Sequence, residues 1–187
     1  MRDSAKGLAS AATVKALFIY TLFLSATSYS DDGYTIPGTD STIQSVEVIS
    51  EMQISDLKIA HIRYLEFTKK RCSSPDQVFD FLVLAGPINP DATYVVEKLL
   101  KQINNAPNRC RQSAGTPYLT LVYMQSGGGY LNDGFALARA LKRNGAVTVI
   151  ASTGECFSSC ATAYLGGVGR LMEENARLGF HAPYRYT

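Results

Sequence analysis

The chain has 187 residues, a formal net charge of +2 and a 46% hydrophobic content, which is the composition of a globular protein with room for one ordinary domain and an appendage. So small a charge, carried by scattered basic residues, argues against a nucleic-acid surface, and no nucleic-acid partner is expected.

Near the amino terminus, Arg2, Lys6 and Lys15 precede the apolar run Ala16 to Leu24, and small residues follow at Ser25, Ala26, Thr27 and Ser28. That order predicts a secretory signal peptide over residues 1–28, cleaved near Ser28, and hence an exported, periplasmic chain. The run falls short of the roughly 20 apolar residues that cross a bilayer. An uncleaved membrane anchor is the alternative.

Residues 29–45 are rich in Ser, Thr, Asp, Gly and Pro and read as a linker. A domain then spans 46–187, with a pattern that is clear from about residue 78 onward. Before that point the alternation of Val46 to Ser50 and of Ile59 to Tyr64 allows two strands, or a strand and a short helix. Val78 to Leu84 predicts a buried strand. Asn89, Pro90 and Asp91 then start a helix whose apolar positions are Val95, Val96, Leu99, Leu100 and Ile103.

The same order repeats. Tyr118 to Met124 predicts a strand, Gly127-Gly128-Gly129 a turn, and Leu131 to Arg143 a helix stopped by Asn144-Gly145. Val147 to Ala151 predicts a third strand, which leads to the turn Cys156-Phe157-Ser158-Ser159-Cys160 and a short helix over 159–167. Arg177 to Ala182 reads as one further strand. Strands alternating with helices imply an α/β fold with a mostly parallel sheet.

The four cysteines, Cys72, Cys110, Cys156 and Cys160, all follow the export segment, and an even count in an exported chain favours disulfides. Pairing Cys156 with Cys160 and Cys72 with Cys110 is preferred, because the first pair is about one helical turn apart. Cys-x3-Cys without a nearby His pair is a weak metal signal, so no metal is expected. A thiolate nucleophile at Cys156 or Cys160 is the chemical rival, and export argues for oxidation instead.

Both the glycine run and the Ser158 turn fall at carboxyl ends of strands, where α/β folds place ligands and chemistry. Ser158 is a candidate nucleophile, His181 a candidate base, and the N–H groups of Gly128 and Ser159 candidate oxyanion donors. Each has a plainer reading beside it: a serine at a helix start is commonly an N-cap, and a lone histidine in an apolar strand is commonly a satisfied core residue. His61 keeps that plain reading, and Glu173 with Glu174 reads as an ordinary exposed turn. The glycine run lacks both the dinucleotide spacing and a Gly-Lys-Ser/Thr, so no nucleotide cofactor is implied.

In order, these residues resemble the Clp protease proteolytic subunit and its exported relatives in the ClpP/crotonase superfamily, over roughly residues 78 to 184. Gln125-Ser126-Gly127-Gly128-Gly129 is similar to the family's Asn-Ser-Pro-Gly-Gly without its proline, and Gly154-Glu155-Cys156-Phe157-Ser158 to its Gly-Gln-Ala-Ala-Ser. Asn175-Ala176-Arg177, His181 and Pro183 match its Asn-Ala-Arg, His and Pro. The resemblance implies a serine-type hydrolase of peptide or acyl substrates, with Ser158 and His181 catalytic and Gly128 and Ser159 at the oxyanion. It implies no cofactor, leaves a homo-oligomer open, and in an exported chain implies no ATPase partner.

The family's third catalytic member, an Asp, lies well beyond the His, whereas six residues without an acid follow His181 here. The expectation is therefore a domain truncated at its carboxyl end, a dyad, or an acid supplied from elsewhere. The rival functions are a catalytically inactive binding or assembly module of the envelope, and acyl-thioester chemistry of the crotonase kind.

Overall fold

The computed structural model describes residues 34–35, 42–67, 79–107, 109 and 119–182. The expected signal peptide and the expected Cys72–Cys110 pair lie outside these residues. The elements in chain order are β1 (Tyr34–Thr35), β2 (Thr42–Ile54), β3 (Leu57–Phe67), β4 (Phe79–Ala85), α1 (Pro90–Asn104), β5 (Leu121–Gln125) and α2 (Leu131–Arg143). They continue with β6 (Val147–Ile150), β7 (Glu155–Phe157), α3 (Ser159–Tyr164), β8 (Gly169–Met172) and β9 (Arg177–Gly179).

Among the described residues, seven strands form one sheet in the order β1-β2-β3-β4-β5-β6-β8, and β7 with β9 forms a second. Pairing is antiparallel from β1 to β4 and parallel from β4 through β8. The second sheet is parallel as well. The fold is α/β with a mostly parallel sheet, as the alternation of elements implied.

The structure corrects or decides three expectations. The segment 29–45 holds β1 and the first residues of β2, which pair with each other and so belong to the sheet rather than to a linker. The ambiguous stretch after it is a two-strand hairpin turning at Ser55-Asp56. Of the strand expected over Arg177 to Ala182, only Arg177–Gly179 forms, as β9 in the small second sheet, and His181 lies beyond its end; β8, which the sequence pattern did not reveal, takes the place beside β6.

The local signals behave as their chemistry requires. Asn89 accepts a hydrogen bond from Ala92 N at 2.8 Å with Pro90 at the first helical position, a cap worth about 1 kcal/mol. Alternation along the strands divides the apolar residues between the two faces. Leu57, Ile59, Leu82, Leu84, Val122 and Met124 join α1 and α2 in one core, while Ala60, Ile62, Phe81, Val83, Tyr123 and Val149 form a second cluster. Fully buried leucines such as Leu82, Leu100 and Leu141 each contribute about 2 kcal/mol.

Candidate active site

The carboxyl ends of β5 and β6 deliver the candidate residues. After Gln125 the chain leaves the main sheet, and Ser126 bridges to Cys156. Ser126 N–H donates to Glu155 O at 2.8 Å and Phe157 N–H donates to Ser126 O at 2.9 Å. The glycine run is thereby fixed beside β7. On its other side, Ile88 N–H donates to Gly128 O at 2.9 Å, so the loop is held from two directions.

Ser158 follows β7 directly and immediately precedes α3. Its backbone stands at φ 57° and ψ −123°, a sparsely populated conformation for a residue with a Cβ, which costs roughly 1–3 kcal/mol. Its hydroxyl makes no capping bond to α3. The plain N-cap reading therefore does not account for this serine. A strained serine on a sharp strand-to-helix turn, with its hydroxyl not spent on the helix, is the arrangement of a nucleophile elbow.

Gly128 packs against this turn. A Cβ on Gly128 would lie 2.6 Å from Ser158 Cβ and 2.9 Å from Phe157 O, and its φ is +111°, so glycine is required for both reasons. Gly134 in the first turn of α2 plays the same spacing role: a Cβ there would lie 2.9 Å from Ser159 Cβ. Gly134 was not among the residues expected at the site, although an isolated glycine inside a helical pattern signals just such a close approach.

The oxyanion candidates differ from each other. Gly128 lies against Ser158, but its N–H donates to Ser126 Oγ at 3.0 Å. Serving an oxyanion requires that N–H to share or exchange its partner. Ser159 is the first residue of α3, where an N–H has no acceptor within the helix. Its side chain is buried, and its Oγ is without a hydrogen-bond partner.

β9 brings the histidine toward the turn. Phe157 pairs with Gly179, and Ser158 N–H donates to Gly179 O at 2.9 Å. His181 is two residues further along and exposed. Its Nδ1 lies 2.9 Å from Ala182 O. A carbonyl can only accept, so Nδ1 carries the proton in this contact.

Cys156 and Cys160 form a disulfide with a Cα–Cα distance of 5.2 Å, and both are fully buried. It spans the Ser158 turn. The thiolate alternative at either residue therefore does not apply to the oxidised chain.

Glu173 corrects the reading of an ordinary exposed turn. Its Oε2 accepts from Ser152 N at 2.7 Å, its Oε1 is buried without a partner, and burial pushes its carboxyl above the usual glutamate range despite the Ser152 bond.

Away from the site, His61 is a satisfied core residue. Asp80 Oδ1 accepts from His61 Nε2 and from Arg63 Nε, both at 2.9 Å. Burial pushes the Asp80 carboxyl up, but the His61 and Arg63 hydrogen bonds and charges outweigh it, and the net shift is downward. Among the described residues, no group of three or more His, Cys, Asp or Glu side chains is gathered to hold a metal.

No family model matches the chain, and no curated protein matches it. Solved structures do. ClpP1 from Listeria monocytogenes is similar with a TM-score of 0.40 and 21% identity, over 50% of this chain and 51% of that one. The 1510-N membrane-bound stomatin-specific protease, in a variant form, is similar with a TM-score of 0.38 and 11% identity, over 50% of this chain and 42% of that one. A probable enoyl-CoA hydratase/isomerase from Mycobacterium abscessus follows at 0.33 and 10%, over 51% and 43%. The chain thus spans about half the length, or less, of these structures.

Proposed function

We propose that the chain is an exported serine-type hydrolase of peptide or acyl substrates in which Ser158 attacks and His181 acts as base and then acid. The observation that carries the reading is the Ser158 turn itself: a strained serine whose hydroxyl does not cap its helix, with Gly128 pressed against it. Attack would proceed by transfer of the Ser158 proton to His181 Nε2, with return of that proton to the leaving group. Ser159 N–H, and Gly128 N–H once released by Ser126, are the donors for the developing oxyanion. The Ala182 carbonyl at Nδ1 does part of what a buried Asp does in a triad, since it selects the tautomer, but it supplies no full negative charge.

The experiment is hydrolysis of an activated ester and of an unstructured polypeptide by the purified chain beside Ser158→Ala and His181→Ala. The reading expects both variants to fall to background, with Ser159→Ala retaining activity. Equal rates in all four would remove it.

One observation favours a second reading, that of a binding or assembly module: the Gly128 N–H is already engaged by Ser126 Oγ. Ser126→Ala separates the two, because it frees that donor and should raise hydrolysis only if the donor serves an oxyanion. A second copy would have the β8 edge to pair with, where Leu171 and Met172 are exposed. Sedimentation of the wild type against Leu171→Lys tests that pairing, and a concentration-independent monomer in both would dismiss it.

A further inference from the structure

We propose that the Cys156–Cys160 disulfide is the positioning element of the Ser158 turn, so that the reactivity of the serine depends on oxidation of this pair. This rests on the reading of Ser158 as a nucleophile and adds a condition to it. Cys156 lies in β7 and Cys160 in α3, two residues to either side of Ser158, and both side chains are 0% exposed.

An extended chain would hold residues four apart at about 13 Å, whereas a disulfide tolerates only about 4.4–6.8 Å between Cα atoms. The cross-link therefore removes every conformation in which the segment opens, and Ser158 stays at the apex. That matters because the Ser158 backbone persists only where its surroundings over-determine it. The remaining ties across the turn are non-covalent, the packing of Gly128 and Gly134 and single hydrogen bonds such as Ser158 N–H to Gly179 O, Phe157 N–H to Ser126 O, and Thr162 N–H to Ser158 O at 3.2 Å. Each such hydrogen bond is a modest net contributor to stability.

Reduction by a dithiol breaks the S–S bond. Two electrons and two protons pass to the cysteines, which become two thiols, and the reductant closes to its own disulfide. Two non-bonded sulfurs need more room than a bonded pair, and these lie in a filled core, so the turn opens to make it. Ser158 Oγ then leaves its place against Gly128. A displacement of about 1 Å can cost about 10²-fold in rate.

The test uses the full chain, oxidised, then reduced with dithiothreitol, then reoxidised, beside Cys156→Ala/Cys160→Ala, which keeps Cys72 and Cys110. Two quantities are followed: the rate of fluorophosphonate labelling at Ser158, and amide hydrogen exchange along the chain. On reduction, labelling should slow about 10²-fold and return on reoxidation. The double variant should label slowly with or without reductant, and its ester hydrolysis should show a lowered kcat at similar KM. Exchange should quicken at residues 157–160 and 126–128, while α1 and β4 stay protected.

Unchanged labelling and exchange on reduction would overturn the proposal, and so would exchange that quickens throughout the chain, since the bond would then staple the whole fold. If the oxidised chain does not label at all, the nucleophile reading fails separately. Exchange then decides alone, a change confined to the turn supporting the clamp and no change refuting it.

Discussion

The two ends of the parallel strands treat their polar groups in opposite ways. At the amino end, Asp80 is matched by His61 and Arg63, and Arg109 donates to both Asn104 Oδ1 and Thr120 Oγ1. At the carboxyl end, Ser159 Oγ, Gln125 Oε1 and Glu173 Oε1 are buried without partners, and Ser158 holds a strained backbone. Ser50 Oγ, paired in register with His61, is the exception there, but the charged groups of that cluster are matched, so the fold has the means to pair buried groups and leaves more of them unpaired at the carboxyl end. Unspent hydrogen-bonding capacity and strain are features that cluster at functional sites.

The largest expected effects break the carboxyl end chemically. Ser158→Gly should abolish hydrolysis, a loss of at least about 10³-fold, yet raise stability by about 1 kcal/mol by relieving the positive φ; thermal melting and ester hydrolysis read the two together. A gain in stability without loss of activity would mean that the strain serves nothing. Gly128→Ala should also lower activity, by about 10²-fold, while costing about 1–3 kcal/mol through its overlap with Ser158 Cβ and its φ of +111°.

The amino end should show the reverse pattern. Asp80→Asn removes the charge that answers Arg63 and His61, and should cost about 3–5 kcal/mol in urea unfolding with hydrolysis per folded molecule unchanged. The pH dependence has a fixed sign. The folded carboxyl titrates below the ordinary aspartate value, so its stabilisation is present above that value and is lost as pH falls through the lower folded one. Unfolding midpoints of wild type and Asp80→Asn should therefore converge in strong acid. Parallel curves down to pH 2 would contradict the assignment.

Glu173→Gln should have the smallest effect, within about 1 kcal/mol, and its sign is upward at neutral pH. The folded carboxyl titrates above 4.5, so the native state resists ionisation of this group. The wild type gains stability as pH falls through the folded value, and the variant should lack that gain.

Much of this was legible in the sequence because the signals are local. Asn89-Pro90 announces its helix, and the spacing of Val95, Val96, Leu99 and Leu100 announces the buried face. The glycine run and the Cys-Phe-Ser-Ser-Cys turn could be nominated for the same reason. β8 was not legible, since Gly169–Met172 is four residues long with three of them exposed and carries no alternation. The second sheet was hidden because Glu155–Phe157 pairs with a segment more than 20 residues away in sequence. Nor could spacing tell that Glu173 would cap Ser152 N–H, because that contact depends on β6 and β8 being neighbours.

The most direct measurement of the central claim is covalent capture. The oxidised chain is treated with a fluorophosphonate and the adduct is mapped by mass spectrometry. The account predicts one phosphonylated residue, Ser158, with labelling that disappears in Ser158→Ala and falls sharply in His181→Ala. A folded chain that takes no label, or takes it at Ser159 or elsewhere, would contradict it.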